Sequence, residues 1–343
     1  MNGRKQPPAG SRVRRPGIVR ASGLAANSAA SPLITAAICT YRRYDLLKQA
    51  IDSLSAQTLD ASQYEVLVID NSPDWQFSER FGEAYASVDN LRWVIEKTPG
   101  LSNARNVATS LAGAPLIAFM DDDAIARPGW LAAIVAAYDS FGDETGVVGG
   151  KVNPIWGAPR PNWLHDDLLG LVSVIDRGDR ARVLGKDEWL AGVNISFRVA
   201  LLKEIGGFNV GLGRNGSSPA LLSNEEVDIV DKIRERGHVV VYTPEAEVDH
   251  VVDGDRLSPA WIRRRIAWQA VSDYLKDPEC VIDGALRHWT TIYDFVNRLS
   301  PRNRSPRAFF TETDDAELFK SQMSALYNYT AALLTGFDGV EEQ

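Results

Sequence analysis

Leu116-Ile117-Ala118-Phe119-Met120-Asp121-Asp122-Asp123 sets five apolar residues directly against three carboxylates. An apolar run this short, bounded by polar residues, reads as a buried strand. The acids then fall at its C-terminal end, which in an open α/β sheet is the edge where ligands bind. Three adjacent carboxylates repel one another unless a cation neutralises them. Carboxylate oxygens are the ligands that Mg²⁺ and Mn²⁺ prefer, and an ion held by one or two of them can bridge the phosphates of a nucleotide. A solvated acidic turn is the plainer reading of the same residues.

The flanking sequence repeats the theme. Short apolar runs at 34–39, 65–69, 92–95 and 239–242 alternate with segments of helical period, such as Leu46, Leu47, Ala50, Ile51 and Leu54. Further helices are expected at 130–138, after Pro128 and Gly129, and at 199–205, before Gly206 and Gly207. This alternation predicts an α/β fold around a mostly parallel sheet flanked by helices. A second strand ends on Asp70, followed by Asn71-Ser72-Pro73. A third ends on Cys39-Thr40-Tyr41-Arg42-Arg43, which offers a hydroxyl, a ring and two guanidinium groups for a base, a ribose and a diphosphate. Residues 152–188, with Pro154, Pro159 and Pro161 among Trp156 and Trp163, read as a loop-rich insertion. From residue 251 the period is helical, through Trp261, Ile262, Ile266 and Trp268 and again through Leu318, Met323, Leu326 and Leu333. The expected organisation is a disordered basic tail at 1–30, an α/β domain at 31–250 and a helical appendage at 251–343.

Composition narrows the function classes. The 343 residues carry a net charge of −8, which argues against nucleic acid as a partner, since phosphate backbones select basic faces. The exception is the first twenty residues, with six Lys and Arg and no acid, a composition suited to peripheral contact with an anionic membrane surface. No apolar run reaches the roughly 18 residues of a membrane span. Two distant cysteines, Cys39 and Cys280, fit a reducing, cytoplasmic setting.

The ordered motifs resemble family 2 glycosyltransferases. They are Thr40-Tyr41-Arg42, Val68-Ile-Asp70-Asn71-Ser72, Gly100-Leu-Ser-Asn-Ala-Arg105-Asn106 and Phe119-Met-Asp-Asp-Asp123, then Gly192-Val-Asn-Ile-Ser196, Ile205-Gly-Gly-Phe208, Gly211-Leu-Gly-Arg214, Ser223-Asn-Glu-Glu-Val-Asp228 and the stretch from Pro244 to His250. The resemblance implies a GT-A, Rossmann-like fold and a nucleotide-sugar donor, with UDP-sugars foremost. It also implies a divalent metal, Mn²⁺ or Mg²⁺, and inversion at the transferred sugar. It further implies that Asp70 contacts the donor's nucleoside with Arg105 near the base, alongside Thr40, Tyr41, Arg42 and Asp122. Asp121 and Asp123 match the outer acids of the family's Asp-x-Asp element, the first lying closer to the donor's ribose and the metal and the second being the direct metal ligand, and His250 matches a histidine that completes the metal site in some members. The family's Glu-Asp pair falls on Glu225-Glu226, a departure in its second place, and Glu226, with Glu225 as the alternative, is expected to be the general base. The acceptor, whether a glycan, a lipid-linked sugar or a small molecule, is not specified by any motif.

Local sequence offers rival readings of several of these residues. Ser223-Asn-Glu-Glu226 has capping-box spacing, with Ser223 as N-cap and Glu226 reaching back to its amide. Arg263-Arg264-Arg265 suits an anionic acceptor or a lipid phosphate, although on an amphipathic helix such a run reads first as a solvated face, and His250 by itself reads as a satisfied structural histidine. Trp156 and Trp163 suit either packing or stacking on an acceptor sugar. A catalytically silent nucleotide-sugar-binding or scaffold protein would keep the donor motifs without turnover.

Overall fold

The acid-bearing run is a central strand of a ten-stranded sheet in a computed structural model that describes residues 17–18, 31–216 and 218–336. In chain order the strands are β1 (Gly17–Ile18), β2 (Ile34–Thr40), β3 (Tyr64–Asp70), β4 (Leu91–Ile95), β5 (Leu116–Asp121), β6 (Ala124–Ala126), β7 (Thr145–Trp156), β8 (Arg182–Val183), β9 (Asn194–Arg198) and β10 (Val239–Val252). The helices are α1 (Tyr44–Ser55), α2 (Trp75–Glu83), α3 (Leu101–Leu111), α4 (Trp130–Phe141), α5 (Val199–Ile205), α6 (Glu225–Glu235), α7 (Pro259–Lys276), α8 (Pro278–Asp283), α9 (Ala285–Arg298) and α10 (Ala316–Thr335). Strand order is β1-β4-β3-β2-β5-β9-β7-β10-β6, with β8 beside β10. The half from β4 to β5 is parallel, and β9 enters antiparallel between β5 and β7. This is the mixed sheet, flanked by helices, that the alternation of runs predicts.

Burial explains why these segments form these elements. The apolar face of α1, namely Leu47, Ala50, Ile51 and Leu54, is buried against the sheet, as the three- and four-residue spacing requires. Both faces of β2 and β5 are covered, so their sequences are continuous apolar runs rather than alternating ones. Asn194 ties the second half together. Its Oδ1 accepts from Trp130 Nε1 at 2.8 Å, and its Nδ2 donates to the carbonyls of Ala246 at 2.7 Å and Lys151 at 3.1 Å. A bulge lies beside it, where five residue steps on β10, from Thr243 to Val248, face two on β7, from Gly150 to Val152. Ala246 is there packed onto Gly150, where no side chain would fit.

Four expectations need correction or placement. The insertion is less loop-like than its prolines suggest, because β7 runs on through Pro154 to Trp156. Pairing with β9 ends at Gly149, so beyond it β7 keeps one ladder neighbour, β10, and the amide that Pro154 lacks is not needed. Trp163 is a packing residue: it is buried with Leu168, Ile262 and Met323, its ring 4.6 Å from that of Phe319. Trp156 packs on the edge of the same cluster, which joins the insertion to α7 and α10. Most of the basic tail lies outside the described residues; Gly17–Ile18 pair antiparallel with Val94 and Ile95.

Candidate active site

The C-terminal ends of β2 and β5 and the N-terminus of α6 enclose a cleft of about 490 Å³, closed on its far side by Trp261 and Arg265 of α7. All three acids of the 121–123 run line it. Asp122 accepts from Thr40 Oγ1 at 2.7 Å and more weakly from the Tyr41 amide. Burial and the adjacent Asp123 charge raise its pKa to about 7 despite Arg43 nearby. Burial, opposed by Arg105, likewise raises Asp121. Asp123 goes the other way: burial would raise it, but His250, Arg43 and Arg256 together outweigh burial and hold it below the usual carboxylate range. Arg43 bonds Asp123 Oδ2 directly, and Arg256 Nη2 is 3.6 Å from the same oxygen.

Asp123 Oδ1 and His250 bear on the question of a metal. The His250 ring, delivered by β10, comes within 3.4 Å of Oδ1. Oδ1 has no hydrogen-bond partner, and neither has His250 Nδ1, although both residues are buried. Orphaned buried acceptors of this kind call for a cation or a donor. Among the described residues no three acids, histidines or cysteines form a closed cage. The donor set therefore fits an ion that takes one or two protein ligands and fills its remaining positions with water and phosphate oxygens, as Mg²⁺ commonly does.

The opposite wall is built around Arg105 of α3, 2% exposed. Its guanidinium donates to Glu225 Oε1 at 2.9 Å and to the Gly192 carbonyl at 3.1 Å, and lies 3.6 Å from Asp121. A side chain at position 192 would collide with it, so the glycine allows the close approach. Glu226 follows on the first turn of α6. Burial, then the Glu225 charge, pushes its carboxyl up to about 8, and its Oε2 is buried without a partner. The capping box that the local sequence offered as a rival reading does not form. Asn224, not Ser223, precedes α6, in the left-handed region at φ 75°, and makes no cap hydrogen bond. The Ser223 amide donates to Ser272 Oγ, its hydroxyl meets Gln269 and Arg265, and Asn224 donates to Asp273, so packing on α7 has overridden the local motif.

The other expected residues are divided. Thr40 and Tyr41 line the cleft, with Gly216 packed flat on the Tyr41 ring. Asp70 is fully buried behind the wall, held by the Tyr44 hydroxyl at 2.9 Å and the Ser72 amide at 2.9 Å, and it is Asn71 that lines the cleft. Arg42, at φ 64°, stacks over Tyr41 and is not part of the lining. Cys39 lines the cleft floor, its thiol pushed up to about 12 by burial.

Three arginines went unassigned in the sequence reading. Arg214 and Arg265 line the cleft near Glu225 and Glu226, and Arg256 lines it near Asp123. Arg265 corrects the expectation of a solvated basic face for 263–265, because α7 lies against the cleft mouth and turns it inward. Burial, with Arg265 and Arg256 nearby, lowers Arg214 to about 10. Trp189 was also missed. It lines this cleft and a second cavity of about 600 Å³, and the two share Glu226, Ser223 and Arg265. For Arg256, Arg265 and Trp189 the signal lies in how α7 and the insertion pack across the cleft; Arg214 already stood in the Gly211-Leu-Gly-Arg214 motif without a role.

With this geometry in hand, comparison with known proteins is specific. The chain is 27% identical over 248 residues to a glucosyl-dolichyl phosphate glucuronosyltransferase of Haloferax volcanii, an alignment covering 71% of this chain and 77% of that protein. Among solved structures, the S. aureus TarS fragment 1–349 in complex with UDP-GlcNAc superposes with a TM-score of 0.51 at 18% identity, covering 91% of this chain and 93% of that one. The mannosyltransferase PcManGT of Pyrobaculum calidifontis, in complex with GDP-Man and Mn²⁺, gives 0.50 at 18% identity, covering 90% and 74%. The model of the glycosyl transferase family 2 matches residues 35–206, from the strand that opens the sheet to the turn after α5, and the chain belongs to that family.

Proposed function

We propose that this chain moves a glycosyl group from a nucleoside-diphosphate sugar, with UDP-sugars the first to test, onto an acceptor hydroxyl, with a divalent metal and with inversion. The observation that carries the reading is the meeting in one cleft of the Asp121–Asp123 acids with Glu226, whose buried oxygen has no partner. Thr40, Tyr41 and Asn71 form the wall for the nucleoside, and the domain spanning 31–250 supplies every residue of that wall. Asp123 and His250, with Asp121 beside them, would hold the metal, which when bound offsets charge on the leaving diphosphate. Arg43, Arg214 and Arg256 face the same region and add fixed positive charge where that charge develops.

Glu226 takes the proton of the acceptor hydroxyl as the acceptor oxygen bonds to the anomeric carbon and the bond from that carbon to the diphosphate breaks. A carboxylate raised to about 8 is a stronger base than an ordinary one, close to the optimum for proton transfer near neutrality. Both glutamates line the cleft, but Arg105 bonds Glu225 Oε1 and leaves Glu226 without a cation of its own. The second cavity, which meets the first at Glu226, accommodates the acceptor, with the Trp189 ring placed for the C–H face of a sugar.

The test is a screen of UDP-, GDP- and dTDP-sugars for Mn²⁺- or Mg²⁺-dependent thermal stabilisation, followed by donor hydrolysis and transfer to sugar acceptors. Stabilisation with turnover is expected. Stabilisation without turnover on any acceptor would favour a binding-only protein, and indifference to every donor would end the proposal.

A further inference from the structure

The two glutamates of the cleft open α6, and the residue before them, Asn224, stands in the left-handed region at φ 75°. Asparagine tolerates that conformation better than most residues with a side chain, yet it persists only where the surroundings over-determine it. Here they do. Asn224 is buried, its Nδ2 donates to Asp273 Oδ1 at 2.6 Å, and its Oδ1 accepts from Gln269 Nε2 at 2.9 Å. Gln269 and Asp273 lie one turn apart on α7 and are themselves joined, Nε2 to Oδ1, at 2.8 Å. The other oxygen of Asp273 accepts from the Tyr327 hydroxyl of α10 at 2.5 Å.

Both polar atoms of the Asn224 side chain are thus engaged by α7, while Glu226 follows two residues later with its Oε2 buried and unpartnered. No hydrogen bond fixes that oxygen, so its direction is inherited from the turn beneath it. Docking of the helices does not require the polar chain. Ala270 of α7, Val281 of α8 and Ala331 of α10, with Tyr327 beside them, already form an apolar cluster. What a satisfied buried network adds to such packing is a single fixed geometry. Tyr327 lines neither cavity, so it reaches the cleft only through Asp273.

We propose that Tyr327, Asp273 and Gln269 are positioning residues for sugar transfer, setting through Asn224 the direction in which Glu226 enters the cleft. This rests on the reading of Glu226 as the base, and it makes the helices after residue 251 part of the transferase. The experiment compares full-length wild type, Asn224→Gly, Tyr327→Phe and Glu226→Gln, with the UDP-, GDP- or dTDP-sugar that wild type turns over. Glycine takes the left-handed turn freely, so Asn224→Gly removes the two side-chain bonds and keeps the backbone. We expect kcat to fall about 10- to 100-fold in Asn224→Gly and about threefold in Tyr327→Phe, with KM for donor and acceptor unchanged. Both variants keep the climb of kcat with pH that Glu226→Gln lacks. Hydrogen exchange reads the turn without any donor: the Asp228 amide, bonded to the Asn224 carbonyl at 2.9 Å, should exchange about tenfold faster in Asn224→Gly. Wild-type kcat in either folded variant, or unchanged exchange at Asp228, would overturn the inference. A purely structural clamp gives that first outcome, lowering the melting temperature and leaving kcat intact at temperatures below it. Failure of the underlying reading looks different and ends both: full transfer by Glu226→Gln, or no turnover by wild type on any donor.

Discussion

The cleft has two acidic walls, and they are built on opposite principles. At the end of β5, Asp123 is crowded by Arg43, Arg256 and His250 and held ionised. At the start of α6, one guanidinium, Arg105, serves two glutamates and bonds only the first, so Glu226 is left to desolvation and holds its proton up to about 8. The first wall holds three carboxylates and the second two, all in the same low-dielectric space. What separates Asp123 from Glu226 is the number of cations each is given, and that number sorts permanent charge from exchangeable proton; Asp121 and Asp122, with fewer cations than Asp123, are raised like Glu226.

The sharpest way to break the comparison is Glu226→Gln. If Glu226 is the exchanging group, transfer falls by about 10² to 10⁴-fold while donor affinity is retained. Wild-type turnover at saturating donor climbs as pH rises toward about 8, because the base must first lose its proton; the variant shows no such climb. Stability moves in the reverse sense. A carboxyl whose folded pKa is raised favours the fold below the ordinary carboxylate range, and that contribution is lost as pH rises through about 8. The melting temperature of the variant should therefore gain on wild type on the alkaline side. Full transfer by folded Glu226→Gln would move the base elsewhere, with Glu225→Gln the next variant to measure.

Arg105→Met tests the shared cation. It strands Glu225 in a buried site, and a loss of about 3–5 kcal/mol in denaturant unfolding is expected. A loss under 1 kcal/mol would show that Glu225 does not depend on it. Asp123→Asn tests the ionised wall. It should weaken Mn²⁺-dependent donor binding by about 10- to 100-fold, read by calorimetry with and without the metal, and unchanged affinity would remove Asp123 from the metal site. Ser223→Ala is the smallest change. With no cap to lose, it should shift stability by no more than about 0.5 kcal/mol, whereas a lost N-cap costs typically about 1 kcal/mol.

These contrasts also mark what the sequence disclosed. The β5 acids, Thr40, Tyr41, Arg105, Glu225, Glu226 and His250 were legible because each sits in a short motif tied to the end of a strand or helix. Asp70 was legible as an acid ending a strand, but not its burial, since Tyr44 reaches it from the first turn of α1. Arg256, Arg265 and Trp189 were hidden because their roles depend on how α7 and the insertion pack across the cleft, a contact between segments far apart in sequence. The failed capping box has the same cause: a local signal worth about 1 kcal/mol yields where Ser272, Gln269 and Asp273 of α7 engage the same residues.

The bulge in β10 has a consequence for which sequences this fold can tolerate. Strand side chains alternate between faces, so an odd surplus of residues reverses the phase of everything beyond it. The surplus between Thr243 and Val248 is odd, and it sets the phase in which His250 meets Asp123. Removing one residue from 244–247 would restore an even count and turn a neighbouring side chain, rather than the imidazole, toward the acids. This short segment is thus a frame in the coding sense, its length fixing which side chain is read into the cleft.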